Sequence, residues 1–467
     1  MKKLIAIFLL VFLLPIVSWA AIDCDRTTLA NAISAASDGD TITCNAGTWT
    51  YTTGISISNK GLIIEGAGTG STTLKAGATS LVMFNISLQA GDPTFEIRDI
   101  TFDLDGQDNV SAGLITLWGG GLEAFWIHDC AFKNQYGTVI AYNMGGLRAS
   151  GLISSNTFQM NTGAGDKSIR VFGDGSESSD AFQWAYDPGG AYYLFVEYNT
   201  FTYTQFEDGA MDAYGGARYV FRFNTVIDTN VEHHGADSGG YRGTRDFEIY
   251  RNSFTSDYSE RAGNYRSGIG FVFDNTFTGT YSSLDLHVYR VSASSFYGQC
   301  NGSSSWDENT SPAGYACLDQ PGHLFGTTTG GSNTIEGLYG WSNNKNGSNL
   351  DLTSTNDHGE AAYIVDDRDF FNGVSLTAQT SKTNPFDGSS GVGHGTLANI
   401  PDTCTTNRGY FATDQGSWNA EGDDGVFYKC TSTDTWEVYY TPYTYPHPLR
   451  EAAVVVPANA IQGMKLW

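Results

Sequence analysis

Three glutamates recur at one offset in the middle of the chain. Glu207, Glu232 and Glu260 each stand eight residues after an asparagine, namely Asn199, Asn224 and Asn252. These asparagines open short boxes, Asn199-Thr-Phe, Asn224-Thr-Val and Asn252-Ser-Phe, followed by Asn275-Thr-Phe, at intervals of 25, 28 and 23 residues. If each interval is one turn of a coil and the coils stack in register, the three carboxylates form a column at the strand spacing of about 4.8 Å. Carboxylates that close cannot all stay ionised without help, so one takes up a proton or a cation sits among them. Calcium suits such a column, because it accepts several hard oxygen ligands in flexible geometry and is available outside the cell. Arg242, Arg245, Arg261 and Arg266 offer the other reading, a surface network in which arginines neutralise the acids.

The elements that would hold such a column are short strands. Paired glycines precede alternating stretches such as Leu194-Phe-Val-Glu-Tyr198, Tyr219-Val-Phe-Arg-Phe223 and Phe247-Glu-Ile-Tyr-Arg251, a pattern of turns feeding half-buried strands. Aligned on the asparagines, Val196, Phe221, Ile249 and Val272 share an inward column, while Glu197, Arg222, Tyr250 and Phe273 face outward. The asparagines themselves read as scaffold, since stacked amides hydrogen-bond along a coil axis. The 43 residues between Asn156 and Asn199 exceed one coil, which predicts a loop or a degenerate coil over 163–190.

Composition sets the compartment. Met1 to Ala20 carries Lys2 and Lys3, an apolar run from Leu4 to Val17 and small residues at Ser18 and Ala20, the pattern of a secretory leader. The run is short for a bilayer span and no second one follows, so no stable membrane insertion is expected. The formal charge is −25, which repels nucleic acid at long range. All seven cysteines lie beyond the leader, where disulfides persist. Proximity pairs Cys24 with Cys44, Cys300 with Cys317 and Cys404 with Cys430, and leaves Cys130 as a buried thiol.

Leu29, Ala32, Ile33 and Ala36 fall at helical spacing and are followed by strand-like runs at 41–50 and 62–68. Here the chain resembles the amino-terminal cap of secreted pectate-lyase-like proteins, in which a helix covers the open end of a right-handed parallel β-helix. Over the mature chain it is similar to secreted bacterial right-handed parallel β-helix repeat proteins. The resemblance implies an all-β solenoid over 21–400 with an amino-terminal helical cap, and a disulfide-bearing hairpin segment at 401–467 covering the carboxyl end. It also implies an extracellular or periplasmic protein that acts on a polysaccharide.

In the resembled lyases the cleft follows the asparagine turn by several residues, where the three glutamates fall. The reaction asked for is removal of a proton beside a uronate carboxyl group, with cations or arginines neutralising that carboxylate. Glu207, Glu232 and Glu260 would hold calcium. Arg261, His233, His234 and Arg266 would act as acid, base or neutralising charge, and Arg242 and Arg245 would hold substrate. A hydrolase on the same scaffold would need two carboxylates about one glycosidic bond, for which Asp212 and Asp237 are the pair. A non-catalytic protein using the flank or its aromatics to hold glycans is the reading from another class.

Overall fold

The structure, a computed structural model, describes residues 20–109, 113–161, 167–174, 180–236, 241–288, 290, 296–300, 303–307, 317–325, 333–355 and 363–452. The leader at 1–20 therefore lies outside the described residues except for its last position. No helix among those residues is long and apolar enough to cross a membrane.

The chain is a parallel β-helix. Eleven strands among the described residues, from Thr41–Thr43 to Phe370–Asn372, form one sheet in which each strand bonds to the next in chain order. A second sheet follows each turn, and its main pairings are also parallel. Alternation fills the tube: Val196 lies beside Phe221, Phe221 beside Ile249 and Ile249 beside Val272, all buried in one core. In the second sheet the box aromatics Phe132, Phe158 and Phe201 stack with centroids 4.8 Å apart. At the first open end the helix Arg26–Ala35 buries Leu29 and Ile33 and is capped by Asp25, whose carboxylate accepts from Thr27 and Thr28.

The asparagines form a continuous internal ladder. Nδ2 of Asn156, Asn199, Asn224, Asn252 and Asn275 donates to Oδ1 of the next asparagine in turn, ending at Asn343, over 2.9–3.2 Å. The amides of Asn156, Asn199, Asn224 and Asn252 also donate to carbonyls of their own and the preceding coil, as Asn224 does to Arg222 and Val196. The residue before each asparagine takes a positive φ, for example 54° at Phe223 and 55° at Arg251, and the amide ladder compensates for that local strain. Asn224→Ala removes the Oδ1 that accepts from the backbone N–H and Nδ2 of Asn199, and the donor to the Val196 carbonyl, all inside the protein. We expect it to destabilise the fold by on the order of 3 kcal/mol in chemical denaturation, with a shallower loss for Asn343 at the ladder's end.

Three disulfides close Cys24 to Cys44, Cys300 to Cys317 and Cys404 to Cys430. Cys130 is free and buried, and burial pushes its thiol far above the usual range. Its backbone N–H donates to Asn156 Oδ1 at 3.0 Å, so it occupies an asparagine position of the ladder.

The carboxyl-terminal segment differs from expectation in where it lies. Its four-stranded sheet starts at Val392, within the span assigned to the coils. Instead of only closing the carboxyl end, the segment runs back along the outer face of the first sheet. Tyr440 stacks on Phe271 with centroids 3.9 Å apart and Tyr445 on Phe223 at 3.7 Å. The predicted outward column of Glu197, Arg222, Tyr250 and Phe273 is consequently buried rather than exposed.

Candidate active site

The three-glutamate column does not form. In the second sheet the strand Thr200–Tyr214 lies against Thr225–His233, and the register slips twice. Thr202 faces Ile227 but Glu207 faces Thr229, and Asp208 faces Asn230 but Met211 faces Val231. Five extra residues thus enter the earlier strand after its asparagine box. Asp212, not Glu207, comes to lie beside Glu232, and Asn264, not Glu260, lies on its other side. Glu260 is exposed and Glu207 half-buried.

A different column stands on the outer face. Register runs Arg170, Asp212, Glu232, Asn264, Asp285 across five successive strands. Arg170 belongs to the strand Lys167–Phe172, inside the gap read as a loop or degenerate coil. That strand pairs with both neighbouring coils, so the gap contains a regular strand besides its loops. The alternation Ser168, Ile169, Arg170, Val171, Phe172 carries the strand signal, with Ile169 and Val171 inward and buried.

Charges in this column meet in pairs. Asp212 is fully buried; Arg170 Nε donates to its Oδ2 at 3.1 Å and His234 Nδ1 to its Oδ1 at 2.7 Å. Burial works against its charge, but His234, Arg170 and Lys167 outweigh it and hold the carboxyl far below the usual range. Glu232 is buried as well, with Lys167 Nζ against Oε1 and Arg266 Nη2 3.5 Å from Oε2. Burial, then the Asp212 charge, raises its pKa in spite of Lys167. Two carboxyl groups in one site are thereby pushed apart in acidity.

The two histidines separate by strand alternation. His233 points inward, fully buried among Tyr219, Phe247 and Tyr265, with its Nε2 against the Tyr219 hydroxyl. Burial drives its pKa down to about 3, so His233 is a neutral core residue and the acid or base role expected of it is corrected. His234 is the half-buried one, its side chain 24% exposed. Desolvation lowers its pKa, but Asp212 overrides this and the net shift is upward. Because Asp212 is ionised, it accepts and Nδ1 donates, so in the neutral ring Nε2 carries the lone pair.

The other expected residues fall as follows. Arg266 joins the site through Glu232. Arg261 is half-buried beside it, 3.2 Å from His287 Nε2, and its carbonyl accepts from Asn230, which also donates to Asp208. Arg242 is 2% exposed and grips Asp319 with two bonds of 2.7 Å, over the Phe182 ring. Arg245 is buried beside Asp246 and donates to the Trp184 carbonyl at 2.5 Å. Both arginines tie loops down, so their expected substrate contact is corrected. Asp237 lies outside the described residues.

Asp212, Glu232 and His234 bring one ligand atom each within 4.8 Å of one another. All four carboxylate oxygens already face a cationic donor: Arg170, His234, Lys167 and Arg266. The Glu207, Glu232 and Glu260 set expected to hold calcium is split by the register. What the arrangement offers is a base on a buried carboxylate, ringed by fixed positive charge.

No family model matches the chain, and no curated protein matches it. Among solved structures the chain is similar to the catalytic domain of a GH87 alpha-1,3-glucanase in complex with nigerose, at 13% identity over 76% of this chain and 67% of that one, with a TM-score of 0.28.

Proposed function

We propose that the protein is a secreted polysaccharide lyase that acts on a uronic-acid polymer, with His234 as the base. The observation that carries this reading is the Asp212–His234 contact of 2.7 Å beside Arg170, Lys167 and Arg266. Neutral His234 Nε2 removes the proton on the carbon next to the uronate carboxyl group, the bond from the adjoining ring carbon to the glycosidic oxygen breaks to leave a carbon–carbon double bond, and the departing oxygen takes a proton from solvent. Arg266 and Arg170, each with some exposed surface, neutralise the charge that builds on that carboxyl group. Buried Lys167 keeps Glu232 in place, and Asp212 fixes the His234 tautomer. Three disulfides and the leader-like start fit work outside the cytoplasm.

The test is incubation of the mature chain with neutral and uronate polysaccharides, following ultraviolet absorbance of unsaturated product and new reducing ends separately. Absorbance should grow with a uronate polymer and persist in chelator. Reducing ends without absorbance would sink the lyase reading in favour of hydrolysis. The pH profile follows from the same geometry. His234 must be neutral to act and its pKa is raised above 6.5, so turnover should climb as pH rises through that value, on the alkaline side of a free histidine.

A further inference from the structure

Next to the charged column runs a column of rings. Register places Trp118 beside Asn143, Asn143 beside Phe172 and Phe172 beside Tyr214 on successive strands. Each lies two residues beyond the column of Arg170 and Asp212, hence on the same outer face. Phe172 meets Tyr214 edge-on with centroids 4.3 Å apart, and Tyr214 reaches His234 at 5.4 Å. Trp118 is 45% exposed, and Phe172 and Tyr214 are half-buried. A tryptophan that open adds little to the core, so packing does not account for it.

Glycines follow each of these rings. Gly119-Gly120 follow Trp118, Gly173 follows Phe172 and Gly215-Gly216 follow Tyr214. Gly119, Gly120, Gly215 and Gly216 take φ between 64° and 99°, a left-handed backbone that side chains resist. At Gly173 a Cβ would meet the Gly216 backbone at 2.2 Å, so adjacent coils touch there. The result is a shelf of closely packed coils, against which Ala181 and Phe182 rest at Gly216 and Trp184 at the Gly146 carbonyl, flanked by rings and leading along the coil axis to His234. At about 4.8 Å per strand, Trp118 stands roughly 19 Å from the His234 coil.

We infer that Trp118 forms one subsite, and Phe172 with Tyr214 another, for sugar units of an extended polysaccharide lying along the coil axis and ending its run at His234. The rings hold the apolar faces of the sugars by dispersion and shape, needing no charge. What happens to the chain at His234 rests on the lyase reading; the binding along the shelf does not.

The test uses the mature chain with Trp118→Ala, Trp118→Phe and Phe172→Ala. Retardation in native gels containing polygalacturonate, alginate or a neutral glucan reports binding, and KM and kcat on long and three-unit fragments report the subsites. One polymer should retard the wild type and Trp118→Phe, with retardation reduced in both alanine variants. KM for the long fragment should rise about tenfold in Trp118→Ala, a loss of about 1.4 kcal/mol, with kcat and the three-unit fragment unaffected. Ring-dependent retardation without turnover would keep the subsites and remove the elimination chemistry. Equal retardation of all forms, or none of the wild type by any of the three polymers, would overturn the subsites.

Discussion

Replacing His234 with alanine is expected to lower turnover by about 10²–10⁴-fold, the usual contribution of a positioned general base, and to cost about 1–3 kcal/mol of stability because buried Asp212 loses a hydrogen-bond partner. The side chain is partly exposed, lies 5.4 Å from the Tyr214 ring and donates to Asp212 at 2.7 Å. Asp212→Asn should behave differently. It removes a fully buried charge that two cationic groups share, so Arg170 is left uncompensated and stability should fall by about 3–5 kcal/mol. Whatever activity survives should have its acidic limb moved to lower pH, because His234 loses the carboxylate that raises its pKa. A pH–rate profile of that variant separates a positioning role for Asp212 from simple loss of fold, which would scale the profile without moving it.

Glu197→Ala is expected to release the carboxyl-terminal strap at a cost of about 3–5 kcal/mol. Glu197 and Arg222 form a fully buried pair at 2.8 Å. Glu197 also accepts from the His447 N–H at 3.1 Å and from Arg450 at 3.2 Å. Arg222 in turn donates to the Tyr443 and Thr444 carbonyls at 2.6 and 2.8 Å. Removing the carboxylate leaves the guanidinium without its counter-charge under the strap. Denaturant unfolding should show the loss, and limited proteolysis should cut in the region of 441–447 before the coils. The double variant Glu197→Met with Arg222→Met should recover much of the stability, since an apolar pair of similar volume avoids the desolvation penalty. Burial disfavours the Glu197 charge, but Arg222 outweighs it and the pKa falls below 4.5. The pair therefore stabilises the fold above about pH 4.5, and that contribution is lost as pH drops through the lowered value.

The coil architecture was legible because the asparagine ladder imposes one residue type at one place per turn. Box spacing alone aligned Val196, Phe221, Ile249 and Val272 correctly. The site was legible only in part, because it lies on the far side of a variable turn. A fixed offset from the asparagine holds only while adjacent strands have equal length, and Thr200–Tyr214 is six residues longer than Thr225–His233. This slip replaced Glu207 with Asp212 as the neighbour of Glu232. Lys167 and Arg170 were missed for a related reason, since they sit between boxes 43 residues apart where the period breaks. Nothing local marked Arg242 as structural, because its partner Asp319 is 77 residues away. Nor did spacing show that the strap would turn Glu197 and Arg222 into buried groups, as the covering residues come more than 200 positions later.

The most direct test of the account is the mass of the products formed from a uronate polymer in heavy-oxygen water. Elimination through His234 predicts new non-reducing-end fragments each lighter by one water than a hydrolysis product, with no oxygen taken from solvent, and predicts that His234→Ala forms almost none. Full-mass fragments carrying solvent oxygen, formed as fast by His234→Ala as by the wild type, would contradict it.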